Sequence, residues 1–126
     1  MSEEEVTTPV TITIQIPDQR LRDVMCGAVE GGSNYWIDRA DRLPCPEGVK
    51  RPTYLFDHVF DVGVRFHYND GDPSSRVVTA ADVRRGVQIM ADKYPRHFMD
   101  LYRENDDAET SDVLLQCAIF GEIVFG

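Results

Sequence analysis

Residues 6–16 alternate apolar and polar positions: Val10, Ile12, Ile14 and Ile16 share one face, and Thr11, Thr13 and Gln15 share the other. A period of two in β-branched residues predicts a half-buried strand, which Pro17 stops. Asp18 then stands as the N-cap of a helix whose apolar positions, Leu21, Val24, Met25, Ala28 and Val29, fall on one stripe. Gly32, Tyr35 and Trp36 extend that stripe if the helix runs on through Gly31 and Gly32. Two interior glycines cost roughly 2 kcal/mol relative to alanine, so a continuous helix needs another element pressed close against it. The other path ends the helix at Glu30, puts Gly31 in the left-handed position and lets Ser33 cap a short helix carrying Tyr35 and Trp36. The continuous helix is the preferred reading of the two.

Residues 38–53 hold Pro44, Pro46, Gly48 and Pro52 among charges and read as a long irregular connection. Residues 54–68 give the strongest strand signal in the chain. Tyr54, Phe56, His58, Phe60, Val62, Val64, Phe66 and Tyr68 fall on one face, and Asp57, Val59, Asp61, Gly63, Arg65 and His67 on the other. Such a strand would span roughly 50 Å, so it must bend, and Gly63 is the expected bend. Residues 69–73 form a turn and 75–78 a short returning strand. Thr79 with Asp82 reads as a capping box opening a helix through Val83, Val87, Met90, Ala91 and Tyr94. Pro95 breaks it and starts a shorter helix to about residue 103, burying Phe98, Leu101 and Tyr102. After an acidic connector, a last helix runs through Val113, Leu114, Cys117 and Ala118 to Gly121, and residues 123–125 form an edge strand or an apolar plug.

These elements predict an α+β fold. Its small antiparallel sheet of three or four strands is built from 8–16, 54–68 and 75–78, with 122–125 as the candidate fourth, and the helices pack on one face. The 126 residues are read as a single domain, 1–126, with residues 1–5 frayed and no internal repeat.

Charge narrows the partners. A net charge of −9 opposes direct nucleic-acid binding, whose affinity comes mainly from Lys and Arg on phosphate. No apolar run reaches the roughly 18 residues of a membrane span, and MSEEEVTTPV lacks the basic start and apolar stretch of a signal peptide. No membrane association and a cytoplasmic location are therefore expected. Cys26, Cys45 and Cys117 are widely spaced, with no Cys-x-x-Cys pair and no histidine at ligand spacing; they read as reduced, and no metal or cofactor is expected.

Three stretches, EGGSNYW at 30–36, KYPRHFMDLYREN at 93–105 and DAETSDVLLQCAIFGEIVFG at 107–126, resemble a group of small proteins from tailed bacteriophages and prophages. The resemblance covers most of the chain except residues 38–53. It implies the product of an accessory gene, dispensable for building the virion, in an infected or lysogenic bacterial host. It transfers no catalytic or binding residue.

Three surfaces carry candidate chemistry. Tyr35 and Trp36, followed by Arg39 and Arg42, could form a partner interface or stack a nucleotide base while an arginine meets phosphate; core packing of Trp36 is the simpler reading. Glu104, Asp106, Asp107, Glu109 and Asp112 form an acidic cluster. It serves the helix dipole by default, or imitates a nucleic-acid backbone toward a basic groove. Asp61, Arg65 and His67 share a strand face that could work as an acid–base set, against the default of a solvated, salt-bridged face. His58, among aromatics, reads as a core histidine, and His97 as exposed. No nucleophile elbow, phosphate-cradling loop or zinc-deaminase signature is present.

The expected function is a non-catalytic accessory protein that binds a host protein and inhibits an anti-phage defence system, anti-CRISPR-like or otherwise. The alternatives are a sponge that sequesters a nucleotide signal, an acidic nucleic-acid mimic, and a small enzyme using the Asp61, Arg65 and His67 face. An unpaired strand edge at 75–78 or the apolar C-terminus makes a homodimer a further candidate.

Overall fold

The computed structural model describes residues 4–126; residues 1–3, part of the segment expected to fray, lie outside the described residues. Five helices and a three-stranded antiparallel sheet make up the α+β fold, with helices packed on one face of the sheet. The elements are α1 Asp18–Gly27, a π-helical turn Ala28–Gly32, β1 Ile37–Arg42, α2 Leu55–Asp61, β2 Val64–Asn69, β3 Pro73–Val78, α3 Ala80–Lys93, α4 Pro95–Tyr102 and α5 Ala108–Phe120. The strand order is β1-β2-β3.

The fold is organised around α5. Thr110 through Ile119 are all buried, so this helix is covered on every side, as a central helix should be. Asp107 caps it, accepting from the Thr110 backbone N–H at 3.0 Å. At the opposite end Gly121 turns left-handed at φ 73° and closes it. The expected Thr79–Asp82 cap of α3 is present, the Thr79 N–H donating to Asp82 at 2.8 Å. Close approach to α5 explains two glycines. A Cβ on Gly32 would lie 2.6 Å from the Ala108 carbonyl oxygen, and one on Gly86 would lie 2.8 Å from the Ala118 nitrogen.

The helix after Pro17 therefore follows neither path expected for the glycines. It widens into a π turn, with Ser33 N–H reaching back to the Ala28 carbonyl at 3.1 Å, and leaves helical geometry at Gly31. Gly32 is nevertheless pressed against another element, as a core-facing glycine on the stripe requires. Asp18 lies inside the helix, and Pro17 takes the N-cap position.

Three sheet assignments need correction. Residues 8–16 form no strand; β1, Ile37–Arg42, instead overlaps the start of the supposed 38–53 connection. Its residues, IDRADR, show no apolar alternation because a bulge between Ile37 and Arg39 shifts the register and the positions opposite buried Phe66 and Val64 hold only Ala40 and Arg42. The supposed strand 54–68 is divided: Leu55–Asp61 is helical and only β2 is extended. The contacts of Arg22 in α1 fit the helix: it bonds Asp57 and Asp61 at 2.7 Å each, with its guanidinium 4.8 Å from the Phe60 ring centre. On a helix those carboxylates sit one turn, roughly 6 Å, apart. Extended, they would stand roughly 13 Å apart, beyond one guanidinium. Gly63, at φ 127°, is the break between the two elements. Residues 122–125 form no strand, and of them only Phe125 packs against the core as a plug, while Ile123 and Val124 are exposed.

Candidate functional site

The stretches around residues 30–36 and 107–126 meet at Asp112, a carboxylate only 6% exposed on the central helix. Its Oδ1 accepts from the Ser33 hydroxyl at 2.8 Å and the Trp36 indole N–H at 2.7 Å. Its Oδ2 accepts from the Tyr35 hydroxyl at 2.5 Å and the Gln116 amide at 3.0 Å. Gln116 links this node to the C-terminal plug: its Oε1 accepts from the Val124 and Phe125 N–H groups at 2.8 Å each. Phe125 then stacks on Trp36 with ring centres 5.1 Å apart and planes 11° apart, while Tyr68 and Phe120 close the other sides. Every acceptor direction of the buried carboxylate is filled, so it fastens three chain segments together.

Tyr35 presents its ring to solvent but turns its hydroxyl into this node. Burial of the hydroxyl, with the Asp112 carboxylate beside it, pushes it up to about 12 from an ordinary value of 10. A tyrosine raised in this way contributes stability below pH 10 and loses it as pH climbs through 12. Tyr35→Phe is expected to remove the latest component of the alkaline absorbance titration. It should also flatten the loss of stability between those two pH values, followed by urea unfolding at stepped pH.

The proposed aromatic–arginine site is dispersed. Trp36 is 5% exposed and packed in the core. Arg39 and Arg42, three residues apart on a strand, leave from opposite faces of β1. Arg42 donates to the carbonyls of Pro52 at 2.7 Å and Thr53 at 2.9 Å, holding the chain that returns to α2. Arg39 instead lies on the face of the sheet away from the helices. There the register sets Arg39 beside His67 and Asp41 beside Arg65. His67 Nε2 donates to Asp41 at 2.8 Å, Arg39 Nε donates to the same oxygen at 3.1 Å, and Arg65 reaches Ser75 at 3.1 Å. Desolvation alone would raise the Asp41 carboxyl; the bonds from His67 and Arg39 outweigh it and hold it below the usual carboxylate range. Asp61 is absent from this face, because α2 carries it to Arg22; Asp41 takes its place beside His67.

The acidic cluster is likewise divided by role. Asp106 pairs with Arg20, Asp107 caps α5, and Asp112 is buried in the node. Glu104 and Glu109 remain as outward-facing acids, the latter 3.9 Å from His97. The core histidine is where the sequence placed it: His58 donates from Nε2 to the Leu43 carbonyl at 2.8 Å, and its Nδ1 faces Arg42 at 3.4 Å. All three cysteines are free, and burial pushes the Cys117 thiol up to about 11, away from reactivity. A cleft of about 200 Å³ opens between the π turn, β1 and α2, with Asn34, Asp38 and Arg39 among its lining residues. It is below the roughly 300 Å³ at which small-molecule sites begin, whereas a second cleft beside Arg42, Cys45, Arg51 and His58 measures about 310 Å³.

Sequence reasoning overlooked Ser33, Gln116 and Asp41. Asp112 and Gln116, polar at i and i+4 where residues 113–120 are otherwise apolar, were a readable sign of a buried network. Asp41 offered none, since its strand could not be seen. Among the described residues no helix is long and apolar enough to cross a membrane. Compared with known proteins, the chain matches no family model, no curated protein and no solved structure.

Proposed function

We propose that this chain is a phage or prophage accessory protein that acts by binding a host protein, as an inhibitor of an anti-phage defence system. The phage context rests on the sequence resemblance. The observation that carries the binding reading is the helix-free face of the sheet, where Arg39 and Arg65 flank the Asp41–His67 pair. On a chain of net charge −9 this face concentrates cationic donors, which suits an acidic patch on a partner. The other readings have less behind them. A nucleotide sponge needs Trp36 at a surface, and Trp36 is walled in. A nucleic-acid mimic needs rows of free carboxylates, and three of the five acids hold the fold. An enzyme using His67 needs a substrate enclosed near its base, and Asp41 and His67 stand on an open face.

The test is capture of the tagged protein from lysate of its bacterial host, beside an Arg39→Glu/Arg65→Glu variant, with mass spectrometry of proteins and of small molecules released by heat. The expected result is one stoichiometric defence protein, held roughly ten- to a hundredfold more weakly by the variant and more weakly at high salt. A heat-released nucleotide without a protein partner would favour the sponge. Neither, together with a turnover abolished by His67→Ala, would favour the enzyme.

A further inference from the structure

Residues 6–16 carry the largest unexplained apolar exposure in the described chain: Val6 is 95% exposed, Val10 78%, Ile12 75% and Ile14 37%. The segment lies in no helix or strand, and among the described residues none of its backbone groups bonds to another backbone group. Residues 6–17 contain no charge in a chain that is 28% charged. Strand-forming residues with bare backbone edges and bare apolar side chains form a template for pairing. We propose that this arm pairs antiparallel with the same arm of a second copy of the chain.

The sequence of the arm specifies the partner and the register. An antiparallel pair centred on Thr11 sets Val10 opposite Ile12, Thr8 opposite Ile14 and Val6 opposite Ile16, each twice by symmetry. It brings more apolar side chains face to face than centring on Val10 or Ile12 does. Pro9 agrees with it. If the even-numbered residues form the hydrogen-bonded pairs, Pro9 falls at a non-hydrogen-bonded position, where its missing N–H points away from the partner. It then blunts the outer edge, limiting the ribbon to two strands. No charge on the paired segments opposes their approach, despite the net charge of the whole chain.

A two-stranded ribbon alone is marginal in water and needs a helical surface to lie on. That surface is present. Ile12, Ile14 and Ile16 border a cleft of about 120 Å³ against Val87, Ala91 and Phe98 of α3 and α4. The register places the partner's Val6 and Val10 beside Ile16 and Ile12, at the rim of this cleft, so that each copy's helices cover part of the other's arm. This surface is separate from the sheet face that carries the proposed function, and the two stand or fall independently.

Sedimentation over a wide concentration range should show a monomer–dimer equilibrium. Ile12→Lys, at an exposed position, should weaken it roughly tenfold or more while leaving Trp36 fluorescence unchanged. With Cys26 and Cys45 replaced by serine, Thr11→Cys should cross-link readily between copies under mild oxidation, because the Thr11 pair is a closely spaced non-hydrogen-bonded one. Thr7→Cys, whose opposite residue is Gln15, should not. Amide exchange in the dimer should protect Val10, Ile12 and Ile14 and spare Thr11 and Thr13. A monomer at all concentrations, a dimer indifferent to Ile12→Lys, or equal cross-linking of the two cysteine variants would overturn the proposal. Arm amides protected in a monomer would do so as well.

Discussion

Asp112→Ala is expected to cost about 3–5 kcal/mol of folding stability, the upper range for a single substitution that breaks a buried polar network. Four donors converge on this carboxylate, from Ser33, Tyr35, Trp36 and Gln116. Alanine takes the acceptor from Ser33, Tyr35 and Trp36, leaves the Gln116 amide only the Phe125 carbonyl at 3.2 Å and the Tyr35 hydroxyl at 3.3 Å, and opens a void beside the indole. The Tyr35 hydroxyl can swing toward solvent with its exposed ring. The Trp36 N–H cannot, since Phe120 and Phe125 pack against its ring at 5.6 and 5.1 Å. The Gln116 amide also loses an anchor, so the segment at 122–125 should loosen and Trp36 emission should shift to the red before global unfolding. Urea unfolding followed by that emission gives the number. Asp112→Asn keeps the shape and one acceptor but turns an N–H₂ toward donors, so about half the loss should remain. A loss below about 1 kcal/mol for the alanine variant would mean that the node does not hold the three segments together.

Gly86→Ala is expected to destabilise by about 1–3 kcal/mol, even though alanine favours a helix over glycine by about 1 kcal/mol. The added methyl would sit 2.8 Å from the backbone nitrogen and 2.9 Å from the Cα of Ala118. Backbone cannot rotate aside as a side chain can, so α3 and α5 must separate. Separation would disturb Met90, Leu114 and Leu115, all fully buried. Thermal unfolding compared with Gln88→Ala, on the same helix, distinguishes the clash from propensity: the first substitution should lower the midpoint, and the second should leave it nearly unchanged. A stabilised Gly86→Ala protein would show that the two helices are not in contact at that point.

Much of the helical framework was legible because its signals are local. The Leu21, Val24, Met25 and Ala28 stripe, the Thr79–Asp82 cap, Pro95 between α3 and α4, and Gly121 after α5 each act within a turn or two of chain, where spacing and backbone preference decide the outcome. The sheet was harder to read, and the errors have physical causes. Residues 54–68 are apolar at so many positions that they satisfy both periods, and the helix in their first half places Asp57 and Asp61 where Arg22, more than thirty residues earlier, can pair with both. Residues 37–42 lack a strand pattern because a bulge breaks the period after Ile37 and the helix-facing positions hold Ala40 and Arg42 in place of large apolar residues. Residues 8–16 carry a clean strand pattern, yet they find no strand partner within the described chain.

The candidate site divides in the same way. The sequence by itself determined which residues could do chemistry, the acidic balance, the apolar stripe of the last helix, and the need for something to lie close to Gly32. Only the tertiary structure decided that Trp36 faces inward onto Asp112, that Arg39 and Arg42 part to opposite faces, and that Asp41 rather than Asp61 meets His67. Those outcomes depend on strand register and on one side chain's choice among distant partners. Both are fixed when the elements pack around α5, and neither leaves a periodic trace in the chain.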